Sequence, residues 1–528
     1  MRHRAGLACL GFIFSCGLAG CGGGGGGTSS VLPSVAGVPN AQRGTSPSGQ
    51  LPSGSLTYRD YADQAVATLV NVFYAGNGSW RTCTDPSCKT ANTDWGVDSL
   101  TYTLFLRSES ATDPSTAATM SALAAGAPSY PAPCHGLAGI ACTWSDVAEW
   151  DAVAELREYA VTKDPSVLQR AISAFQAVEG SEIYALGACP AIRYQQPFGY
   201  LDHLKTLETE ATAIKAAMLL YDVTPLPSYL ASAERRYDAV RQYFLDPQVP
   251  LYTVYVFDDF THCTPVPHRF FASVNGEMIS AGLELFRATK DPKYLNQAVA
   301  TASAVAAGLL DARGVFADLQ TEYDIVEPLV EAMYDLATVE HVTVAQSWIV
   351  DNASAAVSAR KPDGTFGRFF DGPPQQGMTT AWQTNGGFAL MIAASALAPE
   401  QTPAQSAAWA GARFVPHVIL SLPATLQFYG SGIALIGAVG DIPLQPGHAR
   451  VFIDGHETFD QTGIWQNSVG ARRRIPGSVL FAWQWRTAGT HTLQFLPGVF
   501  NLVEGPSYLH ADGYEIIGDT QGASSSTR

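Results

Sequence analysis

The residues with the densest chemical potential lie in TWSDVAEWD, Thr143 to Asp151. Trp144, Ser145, Asp146, Glu149, Trp150 and Asp151 crowd into little more than two helical turns. Carboxylates at such a spacing can supply the acid and the nucleophile of glycosidic cleavage, and indole faces stack on the apolar faces of pyranose rings. The same residues can also do no more than start a helix. Asp146 with Glu149 three residues on is close to a capping box, and acids suit the positive end of a helix dipole.

Other segments carry residues of the same kind. Trp80, Trp95 and Asp98 fall in or just after one aromatic-rich stretch, Tyr194 in another, and Trp382-Gln383 in a third. A ring of aromatics on linkers reads as a sugar cleft more readily than any one tryptophan does. Asp258-Asp259 is the chain's only adjacent aspartate pair, and its loop setting beside Cys263 reads as structural. His203, His262 and His268 lack the spacing of metal ligands, and neither a phosphate loop nor a dinucleotide fingerprint is present, so neither metal nor cofactor is expected. A formal charge of −16 over 528 residues argues against nucleic acid as a partner.

Something must position these groups, and a repeat shows what. Pro114, Pro165, Pro227 and Pro292 are 51, 62 and 65 residues apart, each between two apolar-periodic segments. Asp precedes three of them, as suits a cap followed by a residue that needs no amide donor. Each proline therefore marks the tight turn of a helical hairpin, and the span to Ala398 holds about six such hairpins. An open solenoid and a closed toroid share this period. The long linkers Trp80–Trp95, Pro133–Trp144, Ala185–Tyr200 and Tyr252–Arg269 favour the closed form, an all-α (α/α)6 barrel over residues 56–398 with its cleft at one end. From residue 412 to 519 short strands alternate with turns, predicting a second, all-β domain of jelly-roll-like sandwich form.

The N-terminus predicts export. A basic MRHR leads into an apolar stretch too short to span a bilayer comfortably, ending in Leu18-Ala19-Gly20-Cys21. This resembles a bacterial lipobox, which implies a signal peptide over 1–20, lipidation of Cys21 and an outer-membrane or cell-surface location. The membrane is then met through the lipid anchor only. Residues 21–55, with six consecutive glycines, read as a flexible tether. Six further cysteines remain: Cys83, Cys88, Cys134, Cys142, Cys189 and Cys263. An even count in an exported chain favours disulfides; proximity pairs Cys83 with Cys88 and Cys134 with Cys142, leaving Cys189 for Cys263.

Residues 60–398 resemble the bacterial endo-α-1,6-mannanases of glycoside hydrolase family 76. The resemblance is carried by VFYAGNGSW, EWDAVAELREYAVTKDPSVLQRAISAF, GLELFRATKDPKYLNQA and KPDGTFGRFFDGP. It implies an (α/α)6 barrel and a retaining hydrolysis run by two adjacent aspartates at a helix mouth. Laid on that motif, Asp146 takes the second position and Trp150 the closing tryptophan, while the first aspartate falls on Ser145. Glu149, one turn along, is the nearest local carboxylate. Arg193 and Tyr194 match a substrate-contacting loop, and Asn275-Gly276 stand where the family has an amide before a helix. ARVFIDG, AGTHTLQF and LHADGYEI resemble galactose-binding-like modules appended to secreted carbohydrate enzymes, implying a possible carbohydrate-binding module. The expectation is a surface-tethered, monomeric hydrolase of α-mannan-like polysaccharide. The alternative is a glycan-binding lipoprotein that lost its first catalytic aspartate.

Overall fold

The computed structural model describes residues 55–518, apart from 93–94, 128–143, 180–185, 191, 195–202, 318–324, 405, 420, 441–448, 459–463, 465, 467–473 and 498–508. Signal peptide, Cys21, tether, Cys134 and Cys142 thus lie outside the described residues, as does the side chain of Trp95.

Twelve α-helices appear among the described residues: α1 (Tyr58–Thr68), α2 (Trp95–Ser110), α3 (Pro114–Gly126), α4 (Ser145–Thr162), α5 (Pro165–Glu179), α6 (Leu207–Val223), α7 (Pro227–Tyr243), α8 (Ala272–Thr289), α9 (Pro292–Gly308), α10 (Glu327–Thr338), α11 (Thr343–Ser358) and α12 (Ala381–Leu397). All four repeat prolines stand at the first position of a helix. Asp113, Asp164 and Asp291 each accept a backbone N–H two residues on, from Ser115, Ser166 and Lys293, at 2.8–2.9 Å. Each such cap is worth about 1 kcal/mol.

The even-numbered helices from α2 to α12 touch in ring order, and α12 returns to α2. They form the inner wall, and burial shows it: every residue of α12 from Ala381 to Ala394 is buried. Outer helices bury one stripe. In α5 that stripe is Val167, Ala171, Ala174, Phe175 and Val178, the spacing of a single helical face. The ring is tight where side chains vanish. A Cβ on Gly96 of α2 would strike the Trp382 indole of α12, and one on Gly276 of α8 would strike the backbone of Leu329 in α10.

The sixth hairpin is not continuous in the chain. α12 is partnered by α1, whose start is fixed by a capping box of Thr57 with Asp60 and by Tyr58 N–H donating to the Gln401 carbonyl at 3.0 Å.

The two ends of the barrel differ. Inner helices run into outer ones through two to four residues, whereas the links back to the next inner helix are long. Two small antiparallel sheets lie in those links: β1 (Tyr74–Gly76), β2 (Ser79–Arg81) and β3 (Thr90–Ala91), then β4 (Leu204–Thr206), β5 (Tyr255–Asp258) and β6 (Cys263–Pro265). The long links thus gather at the N-terminal mouths of the inner helices.

After a short connection come β7 (Arg413–Ile419), β8 (Ala424–Gly440), β9 (Ala449–Ile453), β10 (His456–Glu457), β11 (Arg474–Pro497) and β12 (Ala511–Ile517). They hydrogen-bond into one antiparallel sheet of order β10-β9-β11-β8-β12-β7. The long β8–β11 ribbon slips register between Gln484 and Gly489 and bears β9 at one end and β12 at the other.

The sheet does not stand apart. Phe369, from the link before α12, belongs to its buried cluster and meets Phe481 edge-on, with Met378 packed against the same cluster. Around them Gln484 Nε2 and Trp409 Nε1 both donate to the Asp371 carbonyl, at 2.5 and 3.0 Å, and Arg313 bridges the Asp371 carboxylate and Gln484 Oε1. KPDGTFGRFFDGP is therefore the seat of the sheet as well as a rim of the barrel.

Candidate active site

α4 begins with Trp144 as its N-cap, and that residue makes no side-chain capping bond. The capping-box reading of Asp146 and Glu149 is thereby overturned: Asp146 is the second residue inside the helix, and Glu149 does not reach back to the cap. Ser145, buried, donates its hydroxyl to the Tyr194 carbonyl at 2.9 Å, fastening the third long link against the mouth of α4. Asp146 retains 8% of its surface, while Trp144 is 45% exposed.

One turn below Asp146 the indole of Trp150 stacks on Tyr102 of α2, with centroids 5.4 Å apart and planes 12° from parallel. The Tyr102 hydroxyl donates to the Trp150 carbonyl at 2.8 Å. This pair is buried one turn beneath the mouth, and is called its floor below. Asp98 of α2, fully buried, stands one turn above Tyr102. Beneath the floor runs a charged axis that apolar periodicity does not reveal. Arg157 and Lys215 both bind the Glu331 carboxylate, and their cationic groups sit 5.2 and 5.6 Å from the Tyr102 ring centre. Glu277 accepts from the Thr212 hydroxyl at 2.7 Å, and Glu327 opens α10 fully buried. Burial, reinforced by the neighbouring Glu331, holds the Glu327 carboxyl well above the ordinary range. The signal available in sequence was the acids and bases interrupting otherwise apolar inner helices.

Glu149 takes another direction. It is fully buried, neither of its carboxyl oxygens has a hydrogen-bond partner, and its charged neighbours are Arg236, Glu179, Arg193 and Glu210. Burial keeps its carboxyl well above the usual range against the pull of Arg236. Arg236 lies on α7, Glu179 on α5 and Glu210 on α6, so Glu149 faces the wall and not the Trp150–Tyr102 pair, and the role of local substitute for the missing carboxylate does not fit it.

Several expected sugar contacts are structural. Trp80 is fully buried, donates Nε1–H to Thr101 Oγ1 at 3.0 Å and meets Tyr74 edge-on. Trp382 is buried against Gly96. Gln383 closes a capping box with Thr380 and accepts from Gln375 at 2.6 Å. Asn275 spends its amide on the backbone of Tyr252 and Phe271. Arg193 donates to the carbonyl of Val178 and to Glu179, while its own N–H donates to Glu210 at 2.7 Å. Tyr194 is buried, with the Lys205 ammonium 4.6 Å from its ring centre. What the structure does bring together is Tyr102 with Trp150, and Ser145 with Tyr194.

The links are held by their own ties. Cys83 is bonded to Cys88, and Cys189 to Cys263, the latter joining the third and fourth links. Asp258 belongs to that tie: it pairs with Lys205 at 3.0 Å and accepts the N–H groups of Ala188 and Cys189. Asp259 is an exposed turn residue accepting from Thr261 and His262. Among the described residues no group of three His, Cys, Asp or Glu is arranged to hold a metal, and no helix is long and apolar enough to cross a membrane.

The fold is an (α/α)6 barrel, and solved structures carry the likeness. An α-1,6-mannanase of glycoside hydrolase family 76 from Salegentibacter sp. HEL1_6, in a variant with two adjacent aspartates replaced and in complex with alpha-1,6-mannotetrose, superposes with a TM-score of 0.56 at 20% identity. The match spans 65% of this chain and 100% of that one. A family 76 α-mannanase of Bacteroides thetaiotaomicron matches with a TM-score of 0.52 at 17% identity, over 65% and 96% of the two chains. Dfg5 of Chaetomium thermophilum, in complex with glucosamine, gives 0.51 at 13% identity over 66% and 92%. No family model matches the sequence, and no curated protein matches it.

Proposed function

We propose that this protein is a glycoside hydrolase of the endo-α-1,6-mannanase type, cleaving an α-mannan-like polysaccharide with retention. The observation that carries the reading is Asp146: a carboxylate in the first turn of an inner helix, at the mouth where the long links gather and directly above an aromatic floor. Asp146 is the general acid and base, Trp150 with Tyr102 underlies the sugar, and Trp144 offers an exposed face for stacking. The (α/α)6 fold, shared with mannanases of which one holds a mannotetrose, supports the choice of substrate class.

The same proposal includes a chain exported as a lipoprotein through Cys21, held at the outer membrane or cell surface by the tether, and acting as a monomer. It also includes a sandwich form for the C-terminal domain. Leu426, Phe428 and Phe495 near one end of the β8–β11 ribbon share a buried cluster with Leu435 and Phe481 near the other and with Ile516 of β12, which supports a sheet folded over on itself.

One observation favours the second reading, a glycan-binding protein without catalysis: Ser145 is neutral and already committed to the Tyr194 carbonyl. A panel of polysaccharides assayed for both retention on an affinity gel and released oligosaccharide separates the two. Hydrolysis of α-1,6-mannan with an initially α-configured product supports the enzyme. Retention with no product from any member overturns it in favour of the binding protein.

A further inference from the structure

The proposed hydrolase lacks a carboxylate next to Asp146 in sequence, where Ser145 stands. We infer that Asp98 of α2 is the nucleophile that completes the pair with Asp146. The inference rests on the hydrolase reading.

The placement follows from helix periodicity. Residues four apart share a helix face, one turn or about 5.4 Å along the axis. Asp98 is four residues before Tyr102, and Asp146 is four before Trp150. Tyr102 and Trp150 stack face to face, which fixes how the adjacent helices α2 and α4 are rotated towards each other. Both aspartates therefore stand one turn above the same stacked pair, on neighbouring staves of the ring. Two carboxyls on adjacent helices, over one aromatic floor, can flank a single sugar carbon as a retaining pair must.

The other carboxylates near the mouth are engaged or misplaced. Glu149 lies in the wall, Glu210 is ion-paired with Arg236, Asp258 with Lys205, and Glu331 with Arg157 and Lys215. Glu277 and Glu327 are the remaining rivals; Glu277 accepts from the Thr212 hydroxyl, and α10 packs chiefly on α8 and α12 and meets α4 through the Arg157–Glu331 pair beneath the floor.

In the first half-reaction an Asp98 oxygen bonds to the anomeric carbon as the glycosidic C–O bond breaks. The electron pair leaves on the departing oxygen, which takes the proton of Asp146. In the second, Asp146 removes a proton from water, the water oxygen bonds to the anomeric carbon, and the ester bond to Asp98 breaks to restore its carboxylate. Atoms and charge balance with no other reactant. Ser145 then has no chemical duty, consistent with its hydroxyl serving Tyr194.

The test uses the full chain, a 2,4-dinitrophenyl glycoside of α-1,6-mannobiose and sodium azide. Asp98→Ala is expected to lose at least a hundredfold in rate, about 2.7 kcal/mol of barrier, and to recover with azide, releasing a glycosyl azide of inverted, β configuration. Asp146→Ala with azide is expected to give the retained, α product, because azide then attacks the glycosyl-enzyme. Asp98→Ala with wild-type rates, or slow without azide rescue while retaining the wild-type circular dichroism and melting profile, overturns the assignment and leaves the hydrolase reading standing. Rescue by azide in Glu327→Ala instead moves the nucleophile to α10. A wild-type protein inert on this activated glycoside overturns the hydrolase reading itself, and the assignment with it.

Discussion

The Ser145 hydroxyl donates to the Tyr194 carbonyl across 49 residues of chain, closing the third long link onto the first turn of α4. An ionised carboxylate cannot donate that bond and would face a carbonyl oxygen instead. Ser145→Asp is therefore expected to lower mannan hydrolysis at least tenfold and to cost about 1–3 kcal/mol of stability, the penalty of a buried acceptor left unmade. Chemical denaturation and initial rates on α-1,6-mannan check it. A tenfold gain in rate would show that position 145 still wants its aspartate.

Asp146→Asn removes the acid while keeping shape. Hydrolysis of the polysaccharide, whose leaving oxygen needs a proton, is expected to fall by about 10²–10⁴. Binding to an affinity gel should persist, and the dinitrophenyl glycoside, which leaves without protonation, should still release its phenolate in the first turnover. Equal losses on both substrates would exclude Asp146 as the acid.

Stability should depend on pH through α4. Glu155 and Glu158 are both buried; burial raises Glu155 to about 7 against Arg170, and burial with Glu155 beside it raises Glu158 to about 8. Both folded values lie above the unfolded one of about 4.5. The folded chain thus holds protons that the unfolded chain releases, so this contribution is fully present below about pH 4.5 and lost as pH rises through 7 and 8. Each unbalanced proton tilts stability by about 1.4 kcal/mol per pH unit. Glu158→Gln should flatten the decline in melting temperature between pH 5 and 8 and raise it at pH 8; an unchanged slope would show that Glu158 is not the source.

The barrel's last link should bind the sheet through Phe369, 3% exposed between them. Phe369→Ala is expected to cost about 3–5 kcal/mol, the usual price of an emptied aromatic site. Ending the chain after Ala398 should leave the same ring bare, so that fragment is expected to aggregate, and Phe369→Ser in the fragment should improve its solubility. A soluble, monomeric fragment with native melting would show that the sheet is dispensable to the barrel.

The periodic parts of this chain are legible in its sequence, the chemical parts only by half. Prolines at hairpin turns and apolar stripes report local geometry, which is why the helices around Pro114, Pro165, Pro227 and Pro292 lie where the spacing puts them. Which side of a mouth a carboxylate faces depends on helix rotation in the ring. Asp146 and Glu149 are three residues apart in sequence, yet one lies above the aromatic floor and the other in the wall beside Arg236. Trp80 and Trp382 illustrate the same blindness: a linker tryptophan and a core tryptophan have the same letter, and only Thr101 and Gly96 decide between them. The seating of the sheet on Phe369 was likewise hidden, because it depends on a surface made by residues over a hundred positions away.

The partnership of α1 with α12 has a consequence for the order of assembly. The helix made first is the helix covered last: Tyr58, Tyr61 and Ala65 must wait until α12 is complete, roughly 340 residues later. At ordinary rates of synthesis that delay is roughly 20–70 s. Through that interval α1 is an uncovered amphipathic segment at the head of an incomplete ring, a natural client for a holding chaperone and the first place where two copies of the chain could exchange helices.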